Sequence, residues 1–400
     1  MSRIFKNEDF EFGLSIALGS TYSSQADVGE CLAVAGRIKN GDASSWVREW
    51  TAAGGRARDI ATEAESAGHC VSARQAWLRA ATYFSCATYQ VAGAKEGDSF
   101  EQLWGEHREC WDRAVALFVP PVEHVAIPYE DTTIEGYFFK VDDSGAKRPL
   151  AILNNGSDGP VSAMWQQGGA AGVARGYNCL TFDGPGQNAA LVRQHLHFRP
   201  DWEAVITPVV DYALSRPEVD PERIALLGVS QAGYWVPRAV AFEHRVAAAV
   251  ADPGVMDVGT TWRDKLPKSM LRLLEKGEKE KFDRDIAMSE HFVRGMRAQL
   301  EFRMRPFGMS SAYDVYKALE EYKLDGLVER IRCPMLICDP DHEQFWPGQA
   351  RALYEALPGP KELVRFTAEE GSDWHCEPRS PGIRDQRVFD WLDETLPADR

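Results

Sequence analysis

From about residue 8 to 118 apolar positions recur every three to four residues and prolines are few, a spacing that predicts a domain made of helices. Ser44-Ser45-Trp46-Val47-Arg48-Glu49-Trp50 opens on serines suited to cap a helix, and its two tryptophans, four apart, share one face. Ala67 to Tyr83 reads as half of a helical hairpin, with small residues where two helices cross and His69 at the turn. No continuous array of such units is visible, so the domain is a bundle. After Pro120-Pro121 the period falls to two. Glu123 to Pro128 and Thr133 to Val141 alternate as the strands of an antiparallel hairpin, and a sheet begins there.

Pro149 to Asn155 is then a buried strand, followed by a Gly-rich loop and a helix near Met164 to Arg175. Gly176 to Asp183 is the next strand, closed by the turn Gly184-Pro185-Gly186-Gln187. A helix from about Trp202 to Arg216 leads to the apolar run Arg223 to Gly228, and Val246 to Ala251 forms a strand ending at Asp252-Pro253. This alternation predicts an α/β fold: a mostly parallel sheet with helices on both faces. From Met256 to Arg330 strands give way to charged helical segments, such as Lys268 to Glu275 and Ser289 to Met304, which predict an inserted helical cap. Pro334 to Cys338 resumes the sheet, Gln349 to Leu357 is a helix, Leu363 to Phe366 a strand, and Arg384 to Leu396 a closing amphipathic helix. The expected domains are 1–120 (helical), 121–255 (first part of the core), 256–330 (cap) and 331–400 (second part of the core).

Composition narrows the chemistry. A chain of 400 residues, 44% hydrophobic and 26% charged, can bury a large core plus an accessory domain. Its formal charge of −15 repels nucleic acid phosphates and anionic membranes, so a small, largely neutral organic substrate is expected. Met1 to Phe10 lacks the apolar core of a signal peptide and no apolar run is long enough to span a bilayer, which predicts a cytoplasmic protein. The eight cysteines are scattered without a C-x-x-C pair, which predicts buried free thiols and no metal. The sequence leaves a homodimer open.

Gly228-Val229-Ser230-Gln231-Ala232-Gly233 joins a strand to a helix with small residues on both sides of Ser230. In a G-x-S-x-G elbow this exposes a strained serine at the top of a sheet. Such a serine needs a histidine to take its proton and an acid to orient that histidine, in the chain order serine, acid, histidine. His375 lies in the loop after the strand Leu363–Phe366 and before the last helix, where this fold places its base. For the acid, Asp339, Asp341 and Glu343 compete. Common hydrolases read Pro, five strand residues, Gly, two residues, Asp, then Pro four further on. Laid on Pro334 without a gap, this reaches Glu343 and Pro347. Asp341 is the alternative acid, with the commoner side chain but a two-residue shift. Asp339 is expected to end the strand; Asp252, at the end of the preceding strand, is an outside candidate for the acid and is expected to form a turn beside Pro253.

Two backbone N–H groups must face the developing oxyanion. Gln231 supplies one; the loop Asn155-Gly156-Ser157-Asp158-Gly159 supplies the other, with Ser157 first and Asp158 second. Asp183-Gly184-Pro185-Gly186-Gln187 reads as a structural turn beside the site, since no phosphate-binding motif accompanies it. Tyr234, Trp235, Trp262, Phe302, Phe307, Tyr313 and Tyr316 are candidates to line an apolar site, although each taken singly suits a core.

With these pieces in place the sequence resembles the α/β-hydrolases grouped around dihydroxy-pseudo-oxynicotine hydrolase and the fungal hydrolases that shorten polyketides. The likeness runs from about residue 40. It rests on Gly68-His69 with Ser72-Ala73-Arg74, Phe182 to Gln187, the elbow with Tyr234, Ala251-Asp252-Pro253-Gly254, and Phe366 to Gly371 through His375-Cys376. The resemblance implies an α/β-hydrolase fold, no metal or cofactor, and a triad of Ser230, Glu343 and His375. It also implies hydrolysis of a carbon–carbon bond next to a ketone in an aromatic or polyketide-like molecule, with esters in some relatives. Ester, thioester or amide hydrolysis by the same triad, and a non-hydrolytic binding or cyclisation role, are the alternatives. Glu343 stands where aspartate is common, and Asn188 where glycine often follows Gln187, a difference expected to touch only a turn.

Overall fold

The computed structural model describes residues 3–95, 97–292 and 295–397, the side chains of 291 and 292 aside. The first two positions of the N-terminal reading and the last three of the final domain lie outside it. Eight strands form one sheet: β1 (Glu123–Tyr129), β2 (Thr132–Phe139), β3 (Arg148–Asn154), β4 (Asn178–Phe182), β5 (Val219–Val229), β6 (Ala248–Asp252), β7 (Met335–Pro340) and β8 (Lys361–Phe366). Their order is β1-β2-β4-β3-β5-β6-β7-β8, with β1–β2 and β2–β4 antiparallel and every later pair parallel. Parallel strands need both faces covered, and β4 and β6 are accordingly buried along their whole length. This is the α/β-hydrolase fold.

The N-terminal region is helical, in the helices Glu8–Gly19, Val28–Ala35, Ala43–Ser66, Cys70–Thr88 and Phe100–Ala116. Trp46 and Trp50 pack together in the core, ring centroids 5.8 Å apart. The cap of their helix is Asp42 rather than the serines, because the helix starts at Ala43 and the Asp42 carboxylate accepts from the Ser45 N–H at 3.2 Å. His69 precedes the helix Cys70–Thr88 without a side-chain capping bond. Gly54 and Phe84 mark the crossing, where a Cβ on Gly54 would lie 2.9 Å from the ring.

The cap carries the helices Thr260–Arg263, Lys268–Glu275, Lys279–Phe292, Met296–Met304 and Ala312–Ala318. An isolated bridge between Asp257 and Lys323 pins the two segments that join it to the sheet. The single helix expected from Ser289 to Met304 is two pieces, and residues 293 and 294 between them lie outside the described residues. Near Met164 a wide turn, Trp165–Gly169, precedes a short helix, Ala170–Ala174, because Gly168 takes a φ of 124° that a longer helix would forbid. A further short helix, Asn188–Gln194, follows the turn at Gln187 and is too brief for a periodic spacing to predict it. All eight cysteines are free; six are buried, Cys333 is half-buried, and Cys70 is exposed, against expectation, because it starts a helix at the protein surface.

Candidate active site

The sheet register assembles the site. β3 and β6 flank β5, pairing Asn154 and Ala251 with Gly228, so the loops after all three strands meet at Ser230. Ser230 has a φ of 60°, a left-handed conformation that costs a non-glycine residue energy and persists only when its surroundings hold it. They do: its N–H bonds to the Asp252 carbonyl at 2.6 Å and its carbonyl accepts from Gly233 at 2.8 Å. A Cβ on Gly228 would fall 2.4 Å from the Ala232 carbonyl oxygen, and one on Gly233 would fall 1.8 Å from that of Pro253. Strand and helix therefore approach as closely as only glycine allows.

His375 is buried, with Nε2 2.9 Å from Ser230 Oγ and Nδ1 2.8 Å and 3.0 Å from the two Glu343 oxygens. An ionised Glu343 can only accept, so the proton sits on Nδ1 and Nε2 accepts from the serine hydroxyl. Glu343 is fixed in turn, since its Oε1 accepts from the N–H groups of Phe345 at 2.8 Å and Trp346 at 3.1 Å. Burial pushes the Glu343 pKa up, but the His375 ring and these donors outweigh it and hold the carboxyl below its ordinary value. For His375 burial acts downward, and Glu343 overcomes it, so the ring titrates above 6.5. The arrangement can take a proton from Ser230 and hold the resulting imidazolium.

Asp341 is elsewhere. It faces outward and pairs with Arg365, so the alternative acid does not meet the histidine. Asp339 lies inside β7 rather than at its end and pairs with Arg351 at 2.9 Å, because the strand runs on to Pro340.

Gly156 lies against the nucleophile: a Cβ there would sit 3.2 Å from Ser230 Oγ. Its own N–H is occupied by the Asn155 side chain at 2.8 Å, whereas the N–H groups of Gln231, Ser157 and Asp158 have no acceptor among the described residues. Gln187 braces this loop, donating to the Asn155 and Gly156 carbonyls at 2.7 Å each and accepting from Gly184. Asn188 donates to the Gly159 carbonyl at 2.6 Å, so the residue expected to touch only a turn also ties down the loop beside Ser230.

Of the aromatic candidates, Tyr234 is fully buried with its hydroxyl on the Pro200 carbonyl, and Trp235 stacks on Trp202 at 4.0 Å. Both belong to the core, not to a lining, because the elbow helix turns that face toward the helix Glu203–Leu214. Trp262, Phe307 and Tyr316 pack edge-on within the cap, while Phe302 and Tyr313 are half-buried. The rings that meet His375 are Phe345 at 4.6 Å, Trp346 at 5.7 Å and Phe12 at 6.3 Å. Phe12 comes from the first helix, which docks on the loop after the base. Gly19 presses on the Pro378 carbonyl, and Arg379 binds Ser15 and Glu11.

Asp252 is more than a turn former. Its buried carboxyl faces that of Glu377, and no other hydrogen-bond donor reaches either carboxyl among the described residues. Burial raises both pKa values, the Arg384 charge nearby acting against it, which favours one proton held between the two carboxyls. A raised folded pKa stabilises the fold below the unfolded value of 4.5, and that stability is lost as pH rises toward the folded value. Glu377→Gln keeps the donor and removes the titration. The variant should therefore gain stability over wild type as pH rises from 5 to 8, read as the difference in urea midpoint; a constant difference would show that the pair does not share a proton.

Known proteins resemble this chain along much of its length. A family model described as "Esterase FrsA-like" matches residues 30–270, more than half of the chain. Hydrolase LUC6 of Fusarium sp is 28% identical, the match covering 99% of this chain and 98% of the relative. 20-Hydroxy-prefusarin hydrolase FUS2 of Gibberella moniliformis is 28% identical over 100% of this chain and 99% of its own. Among solved structures, that of 2,6-dihydroxy-pseudo-oxynicotine hydrolase superposes with a TM-score of 0.74 at 18% identity, covering 95% of both chains, a likeness of fold. No helix among the described residues is long and apolar enough to cross a membrane.

Proposed function

The chain belongs to the FrsA-like esterase family and is an α/β-hydrolase; from that premise we propose that it is a serine hydrolase cleaving a carbon–carbon bond next to a ketone in an aromatic or polyketide-like molecule. The observation that carries the reading is the continuous chain from Ser230 Oγ through His375 to Glu343, at 2.9 Å and 2.8 Å. Ser230 adds to the ketone as its proton passes to His375 Nε2. The Gln231 N–H, with that of Ser157 or Asp158, holds the oxyanion. Collapse of the adduct expels a carbanion, which leaves as an enolate where a second carbonyl stands beside it and takes its proton from His375. Water, deprotonated by the same ring, then releases the acid from the acyl-enzyme.

Carbon is a poor leaving group, so excluding water matters: charges in an enclosed site are stabilised by fixed dipoles. Phe12, Phe345 and Trp346 around the base favour such a setting and an aromatic substrate. Ester hydrolysis by the same residues is the second reading, favoured by the esterase description of the matching family model. An aryl β-diketone should be cleaved to an acid and a shortened ketone with a higher kcat/KM than a matched aryl ester. If the ester turns over freely while the diketone binds competitively and is recovered intact, the ester reading replaces the carbon–carbon one.

A further inference from the structure

The cap meets the N-terminal domain along a seam beside the loop Asn155–Gly159. Ala298 of the cap helix Met296–Met304 approaches Gly93, where an added Cβ would lie 3.9 Å from its own. The turn Arg305–Phe307 follows. Its middle is held by a bond from the Phe198 N–H to the Pro306 carbonyl at 2.8 Å, and Phe307 packs edge-on against Phe198 and Trp262. Arg305 thereby lies across the seam, its guanidinium carbon 3.5 Å from the centroid of the Phe100 ring.

Arg305 meets no acceptor among the described residues. It is half-buried and its Nε is shut off from solvent, yet no side-chain nitrogen of Arg305 meets a hydrogen-bond or ion-pair partner among the described residues. Burial holds its pKa below the ordinary value, with the charges of Glu101 and Asp158 acting in the other direction, and the Asp158 charge also raises that of His375. Lys265 and Arg303 of the cap, which feel each other's charge, have no carboxylate at ion-pair distance among the described residues either. In a chain with 60 acidic residues against 45 basic ones, partners were plentiful. Burying an unpaired cation costs stability, and such a cost points to a partner that arrives with the ligand.

We propose that Arg305 anchors a carboxylate of the substrate at this seam, so that the compound cleaved at Ser230 is an aromatic or polyketide-like keto acid rather than a neutral ketone. The Phe100 ring holds the guanidinium in place without using its N–H donors, and a guanidinium with unused donors can take a carboxylate in two parallel bonds. The inference rests on the reading of Ser230 as the nucleophile, so its test separates binding from turnover.

The probes are an aryl β-diketone with a terminal carboxylate and its methyl ester, titrated calorimetrically into the Ser230→Ala protein. The acid should bind about 10-fold more tightly than the ester, the discrimination expected of a charged hydrogen-bond pair. Adding Arg305→Gln should abolish that preference by weakening the acid alone, the unchanged ester affinity showing that the site is still folded. Arg305→Lys should keep part of it, because an ammonium is a point charge without the fork. Equal binding of acid and ester, a preference that survives Arg305→Gln, or no binding of either overturns the proposal. Should Arg305→Gln not fold, a preference undiminished in Arg305→Lys overturns it. If the acid binds through Arg305 but the wild-type protein cleaves neither probe, the carboxylate anchor stands and the hydrolytic reading fails.

Discussion

Ser230→Ala is expected to lower kcat by about 10⁶-fold while the protein melts at or above the wild-type temperature. The loss is large because, on the serine hydrolase reading, this hydroxyl is the group that bonds the substrate carbon. What remains is the acceleration over water from the two backbone N–H donors and from substrate binding, about 10³–10⁴-fold. The fold should tolerate the change because the elbow is held by backbone bonds, Ser230 N–H to Asp252 and Gly233 N–H to Ser230, and by the close approach at Gly228 and Gly233. None of these involves the Ser230 side chain. The left-handed backbone stays as it is in alanine, and what is lost is a hydroxyl placed for function, a kind of group whose removal commonly leaves stability equal or higher. Single-turnover assays with calorimetric melting check both halves. Normal melting together with wild-type turnover would end the serine hydrolase reading and favour a nucleophile elsewhere.

What the sequence disclosed, and what it did not, follows from how local each signal is. The elbow is legible because strand, turn and helix are contiguous and the small residues needed for close packing lie within three positions of Ser230. Glu343 was reachable because the distance from a strand start to the end of its following loop is counted along one chain segment, from Pro334 to Pro347. The contribution of Phe12 has no such signal. Its place beside His375 depends on the first helix docking on a loop from the far end of the chain, through Gly19 against Pro378 and Arg379 with Glu11. The second role of Asp252 has no signal for the same reason. Beside a proline it looks like a turn residue, and only folding brings Glu377 to it. Tyr234 and Trp235 were ambiguous because a helix following an elbow has one face toward the site and another toward the core, and aromatic character does not say which.

The acid gives the second large effect. Glu343→Gln should lower kcat by about 10⁴-fold, whereas Asp341→Asn, which breaks only an outward-facing pair with Arg365, should leave turnover within a few-fold. The reason lies in which oxygen is already taken. Glu343 Oε1 accepts two backbone N–H bonds, from Phe345 and Trp346, so a glutamine would place its carbonyl there and its amide nitrogen where Oε2 stands, 2.8 Å from His375 Nδ1. An amide N–H directed at Nδ1 forces the ring proton to Nε2, which then points a hydrogen at Ser230 Oγ where a lone pair is needed. The substitution should also move the pH profile. In the wild type His375 must be neutral to act, so kcat/KM should rise with pH through a midpoint above 6.5, burial opposing and Glu343 raising the ring pKa. Without the carboxylate, burial is left with less opposition and the residual activity should rise at lower pH than in the wild type. A profile that keeps its midpoint in Glu343→Gln, or a larger loss in Asp341→Asn, would mean that another carboxylate supports the ring.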